Sequence, residues 1–326
     1  MEWYQISQRA EKLRALNFII GGRGIGKTYG TIDFLVSSGE TFLYLRNTET
    51  QLQECATEFG NPFKRWNLDH NRDIRILQQR KHCMIYDFEN PEKPKLIGYA
   101  AALSTFENMR GVDLSDVKHV IFDEFVERRT LSFPQFETFA NFYETVNRNR
   151  EITGGGPLRV YLLSNAQRLD NPIMAGYGVI PIIEQMIKSG RDEWYNDLLY
   201  INLPKSEVSA AKAETAHYKL TKGSSYYNEA IENQFAFDSF HGVVKRNIQE
   251  YVPVLAMDDW YLWRHKSNGK YYICRTASNK VPVFTSKDNR MAFMSQYAMT
   301  LRMAYAAGNI EFSEYLLKSQ IINNIL

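Results

Sequence analysis

Cysteine is scarce and scattered in this chain of 326 residues: Cys55, Cys83 and Cys274 lie far apart and form no C-x-x-C pair. A disulfide framework or a zinc site is therefore not expected, and three buried thiols are. Long apolar runs are missing as well. No stretch approaches membrane-spanning length, and the opening residues, MEWYQISQRAEK, lack the basic-then-apolar layout of a signal peptide. The expectation is a cytoplasmic protein with no membrane partner. Neither sign of charge dominates, since 39 Lys+Arg face 37 Asp+Glu, and a net +2 gives no global argument for a polyanionic partner. The distribution says more. Residues 1–200 hold 24 basic and 26 acidic side chains while residues 201–326 hold 15 and 11, so the C-terminal part is the better candidate for touching a polyanion. Internal repeats and low-complexity segments are absent.

What is present is organised around residues 17–30, NFIIGGRGIGKTYG. Three apolar residues run into Gly21-Gly22-Arg23-Gly24-Ile25-Gly26-Lys27-Thr28, which satisfies G-x-x-x-x-G-K-[ST] at every required position. Glycines let backbone N–H groups turn inward around a polyphosphate, Lys27 reaches the terminal phosphates, and the Thr28 hydroxyl can hold Mg²⁺ at a helix N-terminus. A glycine-rich turn that binds nothing is the plain alternative, but it would not need the strand before and the helix after. ATP and Mg²⁺ are the expected ligands.

After the loop, residues 28–36 read as a helix closed by Ser37-Ser38-Gly39, and residues 41–45 (TFLYL) as a second buried strand. This alternation predicts an α/β fold with a mainly parallel sheet covered by helices on both faces. Arg46 follows that strand at the position where such sheets face their ligand crevice, although a surface arginine is an equal reading. Residues 74–77, 81–88 and 95–103 read as strands, the last two joined by Asn90-Pro91-Glu92-Lys93-Pro94, an antiparallel addition beside the parallel core. Residues 117–122 (VKHVIF) form the next buried strand and deliver Asp123-Glu124. Beside a phosphate loop this is the Walker B arrangement: Asp123 can hold Mg²⁺ and Glu124 can polarise a water for attack on the γ-phosphate.

A helix is expected from about Pro134, with Phe136, Phe139, Ala140, Tyr143 and Val146 on its buried face. It ends in Asn147-Arg148-Asn149-Arg150, whose arginines can serve the helix dipole or project as a finger into a neighbouring subunit's nucleotide. Residues 158–163 (LRVYLL) make another buried strand ending in Ser164-Asn165, a γ-phosphate or water sensor in this class of ATPase, or a simple helix cap. A strand at 198–203 closes a first domain at 1–203. Residues 204–232 change to a polar, Ala/Lys/Glu-rich character and read as a helical linker or small linking subdomain. Residues 233–326 read as a separate α+β domain: strands at 251–257, 260–265 and 270–275, then helices at 288–307 and 312–325.

With these segments in place the chain resembles the DNA-packaging (encapsidation) ATPases of small tailed phages of the phi-29 type, relatives of the large terminase subunits. The resemblance is carried by LNFIIGGRGIGKTY, VIFDEFVER, RNRE followed by LLSNA, and ENQF near the second domain, and so spans essentially the whole length. It implies a RecA-like ATPase domain whose Asp-Glu pair performs hydrolysis, with an arginine acting in trans. Arg148 is the matching residue, Arg150 the alternative, and Arg46 matches an arginine near the nucleotide or subunit boundary. It also implies a homo-oligomeric, typically pentameric ring on the capsid portal (connector) that drives double-stranded DNA into a preformed shell in the host cytoplasm. In phi-29 itself a structural packaging RNA belongs to the docking site. The second domain would be an RNase H-like, vestigial nuclease. A two-metal nuclease needs several carboxylates at neighbouring strand ends, and residues 233–326 offer only seven, two of them in the Asp258-Asp259 turn. The competing classes are a terminase-type ATPase that still cuts DNA and a nucleotide-switched nucleic-acid-binding scaffold, for which Glu124 would be dispensable.

Overall fold

Apolar segments from the first two hundred residues assemble into one twisted sheet in the computed structural model, which describes residues 3–79, 82–109, 112–127, 131–165, 168–204, 207–224, 227, 231 and 240–325. The motif positions Arg128, Ala166 and 232–235 lie outside the described residues. The chain divides into two compact units, Met1–Tyr177 with Ile182–Phe237, and Gly178–Pro181 with Asp238–Leu326. The first unit's span thus runs past residue 203 and takes in the segment read as a link.

Strands β1 (Leu16–Gly21), β2 (Phe42–Arg46), β3 (Ile74–Gln79), β4 (His82–Asp87), β5 (Lys95–Ala102), β6 (His119–Asp123), β7 (Arg159–Asn165), β8 (Glu193–Tyr195) and β9 (Leu199–Asn202) lie in the order β3-β4-β5-β2-β6-β7-β1-β9-β8. The central run β5-β2-β6-β7-β1-β9 is parallel, and β3, β4 and β8 add antiparallel edges. The hairpin insertion at 74–102 is therefore present as expected. β8 was not; its three residues are too few to show a period.

Every residue of β1 is buried, as a strand covered on both faces requires. One face carries α1 (Lys27–Ser38), α2 (Glu49–Cys55) and α3 (Lys64–His70), whose Ile32, Leu35, Leu52 and Trp66, with Phe63 just before α3, share a core with Ile19, Tyr44, Ile121 and Leu163. The short helices α2 and α3 escaped the sequence pattern. A capping box at Thr48 and Gln51 was nonetheless readable for α2, and both of its hydrogen bonds are made.

The other face carries α4 (Gln135–Asn147), and its orientation corrects the expected stripe. Gln135, Phe139, Phe142 and Val146 are buried, whereas Phe136, Ala140 and Tyr143 are half-buried. The face is turned by about one residue because a polar Gln135 points inward, and Phe142 packs edge-on to Phe106 while Phe139 stacks on Phe122. Beyond β7 follow α5 (Pro172–Gly176), α6 (Val179–Ser189), α7 (Glu207–Ala213) and α8 (Ala216–Thr221).

The second unit holds a sheet of β10 (Tyr251–Met257), β11 (Trp260–His265), β12 (Tyr271–Cys274), β13 (Val283–Phe284) and β14 (Ile310–Phe312) in the order β13-β10-β11-β12-β14. β10, β11 and β12 form the expected antiparallel meander. Leu255, Trp260, Leu262, Ile273, Phe293, Phe312 and Leu317 fill its core. Two expectations need correction here. The helix expected at 288–307 is interrupted by a π-helical turn, Met294–Ala298, and residue 312 ends a strand paired with β12, so the last helix starts only at Tyr315. Gly308, at φ +69°, turns the chain so that Ile310 and Phe312 alternate into the core.

Candidate nucleotide-binding site

Parallel strands bring their carboxyl ends to one edge, and there β1, β2, β6 and β7 deliver Gly21, Arg46, Asp123 and Asn165. β7 lies between the loop strand and the acid strand, so Ser164 and Asn165 stand between the phosphate loop and the Asp-Glu pair. Gly24 and Gly26 take φ +65° and +98°, which only glycine adopts freely, and Ile25 is buried beneath them. Arg23 stands exposed on the loop.

Lys27 opens α1 and is 7% exposed. Its ammonium donates to Gly21 O (2.9 Å), Gly22 O (2.8 Å) and Asn165 Oδ1 (3.2 Å). Burial lowers its pKa to about 8; Asp123 and Glu124 pull against that shift and Lys212 adds to it. Thr28 Oγ1 donates to Asp123 Oδ1 at 2.9 Å, which places a hydroxyl and a carboxylate oxygen side by side. Two hard oxygen donors of this kind suit a Mg²⁺ ion that takes its remaining ligands from phosphate and water.

Asp123 is buried, and burial raises its pKa against the pull of Arg46, Tyr44 and Thr28. Tyr44 OH donates to Asp123 Oδ2 at 2.8 Å, and Arg46 reaches the same oxygen at 3.4 Å. The other end of the Arg46 guanidinium holds Glu124 Oε2 at 2.7 Å. Arg46 is therefore no surface arginine. Its Nε is buried and has no hydrogen-bond partner among the described residues.

A chain of buried carboxamides supports this edge. Asn47 Nδ2 donates to Glu124 O (2.9 Å), Phe125 O (3.3 Å) and Glu127 Oε1 (3.1 Å). Gln135 Nε2 donates to Asn47 Oδ1 and Phe125 O, both at 2.7 Å, and Asn171 Nδ2 donates to Gln135 Oε1 at 2.8 Å. Asn171 in turn caps α5 through its side-chain oxygen.

The structure does not bring Arg148 to this cluster. α4 begins beside Asn47 and Phe125 and runs for 13 residues, roughly 20 Å, across the sheet. At its far end Asn147 accepts from Leu158 N, and Arg150 donates to Val117 O, both at the amino ends of β7 and β6. Arg148 stands there half-exposed, with one guanidinium nitrogen on Asp113 (3.1 Å) and another on Val112 O (3.0 Å). Arg150 is committed to the carbonyls of Val117, Val146 and Asn147.

Sequence reasoning missed Tyr44 and Asn47. Tyr44 was legible, because it lies two residues before Arg46 on one strand and so shares its face. Asn47 carried no motif.

Residues 2–320 match the family described as podovirus DNA encapsidation protein (Gp16). The chain is 26% identical to the DNA packaging proteins of Bacillus phages phi29 and PZA over 328 aligned positions, covering 96% of this chain and 92% of each of those proteins. It is 29% identical to the DNA packaging protein of Bacillus phage B103 over 242 positions, covering 72% of this chain and 68% of that one. Among solved structures, a chain of the bacteriophage Phi-29 viral genome packaging motor assembly superposes with a TM-score of 0.65 at 21% identity, covering 98% of both chains. At that identity the likeness speaks for the fold. A match that runs from residue 2 to residue 320 takes in both units, and the chain accordingly belongs to the podovirus DNA encapsidation protein (Gp16) family.

Proposed function

We propose that this protein is an ATP-hydrolysing motor that drives double-stranded DNA into a preformed capsid, working as a homo-oligomeric ring at the portal vertex in the host cytoplasm. The first unit is read as a RecA-like ATPase. The second is read as a vestigial RNase H-like domain that docks on the portal and, as in phi-29, on a structural RNA. The observation that carries the reading is the single sheet edge at which Lys27, Thr28, Arg46, Asp123 and Glu124 converge.

Residues 21–28 cradle the phosphates, and Lys27 leaves the loop carbonyls it now holds to neutralise them. Thr28 and Asp123 would hold Mg²⁺, which supplies charge neutralisation along the phosphate chain. Glu124 is the base that orients and polarises the attacking water. It does so once its carboxylate leaves Arg46, so the Arg46–Glu124 pair is the resting arrangement. Asn165, already on the Lys27 ammonium, reports the state of the γ-phosphate.

Arg148 stands too far from its own chain's loop to serve it, and serves the neighbouring subunit as the trans finger. Arg150 is the helix-end clamp, because its donors are already spent on carbonyls. ATPase chemistry and the nucleotide-switched scaffold part at Glu124. Glu124→Gln should leave nucleotide affinity within about threefold while turnover falls by about 10² or more. Turnover retained in Glu124→Gln would favour the scaffold.

A further inference from the structure

Three cations meet at one loop, and one of them belongs to no nucleotide motif. Lys212 lies in the last turn of α7, 189 residues beyond Arg23, and its Nζ donates to the Arg23 carbonyl at 2.6 Å. Gly24 leaves the room for this approach: a Cβ on residue 24 would stand 2.5 Å from the Lys212 nitrogen. The backbone at Lys212 is fixed as well, since the Thr215 N–H (2.9 Å) and hydroxyl (2.8 Å) both donate to Lys212 O. Among the described residues the ammonium is paired with a carbonyl and with no carboxylate.

Burial, then the nearby Arg23, push Lys212 toward its neutral form, and Lys212 pushes Lys27 the same way. Gathering Arg23, Lys27 and Lys212 without a bound anion is unfavourable in the free protein, and a polyanion at the loop reverses the sign of the same interactions.

We propose that Lys212 is a second phosphate-binding ammonium of the nucleotide site, delivered by α7 from outside the phosphate loop. It exchanges the Arg23 carbonyl for the phosphate chain when a nucleoside triphosphate binds. This assignment rests on the nucleotide reading above. It makes α7 a reporter of the loop's contents, its Lys212 ammonium on a neutral carbonyl in the free protein and in an ion pair when the triphosphate is present.

The test is equilibrium titration of the full chain with a fluorescent, non-hydrolysable ATP analogue, with ADP and with AMP. It compares wild type, Lys212→Met, which keeps the aliphatic stem, Lys212→Arg, which keeps the charge, and Lys27→Ala. Lys212→Met should bind the triphosphate about tenfold more weakly, the worth of one charge-assisted hydrogen bond at a half-exposed site. AMP should change by less than about twofold, and Lys212→Arg should recover most of the loss. Melting without nucleotide should show Lys212→Met at least as stable as wild type, because a like-charge contact has gone. Equal or tighter triphosphate binding by Lys212→Met, or an equal loss for AMP, overturns the proposal. Undiminished binding by Lys27→Ala would instead overturn the nucleotide reading beneath it.

Discussion

Glu124 is a non-glycine residue held at φ +53°, a backbone conformation that costs about 1–3 kcal/mol and persists only where the surroundings impose it. Here they do. Asn47 Nδ2 grips the Glu124 carbonyl, Phe125 N donates to Leu163 O at 3.2 Å, and Arg46 holds the carboxylate, so the strain points the side chain into the crevice. A buried ionisable residue elsewhere belongs to stability and not to chemistry. His119, at the start of β6, is 3% exposed, faces Glu40 Oε2 at 2.6 Å through Nε2, and meets Tyr161 OH at 3.3 Å through Nδ1. The neutral ring satisfies both contacts, donating to Glu40 and accepting from Tyr161. Burial depresses its pKa; Glu40 opposes that shift, and Arg159 and Lys118 add to it. A folded pKa below the unfolded one means the unfolded chain binds more protons as pH falls through about 6.5, so His119 withdraws stability on acidification. Melting curves between pH 7.5 and 5.5 should therefore fall more steeply for wild type than for His119→Gln. Parallel curves would contradict a neutral His119.

At the scale of elements, the carboxamide chain Asn47–Gln135–Asn171 ties the end of β2, the turn after β6, the start of α4 and the cap of α5 into one unit. Deleting one member strands buried donors on the others, so Asn47→Leu and Gln135→Leu should each lose about 1–3 kcal/mol of stability. Because the two share a hydrogen bond, the double mutant should lose distinctly less than the sum, and turnover should fall in Asn47→Leu as Glu124 loses its clamp. Strictly additive losses in denaturant melts would mean that the network is not a unit.

This network also marks the limit of what the sequence disclosed. Strand ends carrying Gly21, Arg46, Asp123 and Asn165 were legible because buried strands are dense apolar runs and their polar terminators stand out. The inward turn of α4 was not, because a glutamine on a helix looks exposed until its partners are known, and those partners lie 88 and 36 residues away. Lys212 was hidden for the same reason. Within a polar, lysine-containing stretch nothing distinguishes the one lysine that reaches the loop.

At the scale of the whole molecule, one chain carries the loop, the acid pair and Arg148 but holds them at opposite edges of a sheet. α4, about 20 Å long, separates Arg148 from Asn47 and Phe125, beside Glu124. The proposed head-to-tail ring would resolve this separation if each subunit's far edge met the next subunit's nucleotide edge. Arginine fingers elsewhere raise rates by roughly 10³–10⁵, so the dilute monomer should be a poor ATPase.

The most direct measurement is ATP turnover of Glu124→Gln, of Arg148→Ala and of their equal mixture, each across a range of protein concentration. Each variant alone should be inactive. The mixture should recover turnover at about a quarter of its interfaces, those where an intact Glu124 faces an intact Arg148, and only at concentrations where subunits associate. No recovery in the mixture, together with wild-type turnover per chain that is independent of concentration, would mean that each chain holds a complete site and would contradict the shared-site motor.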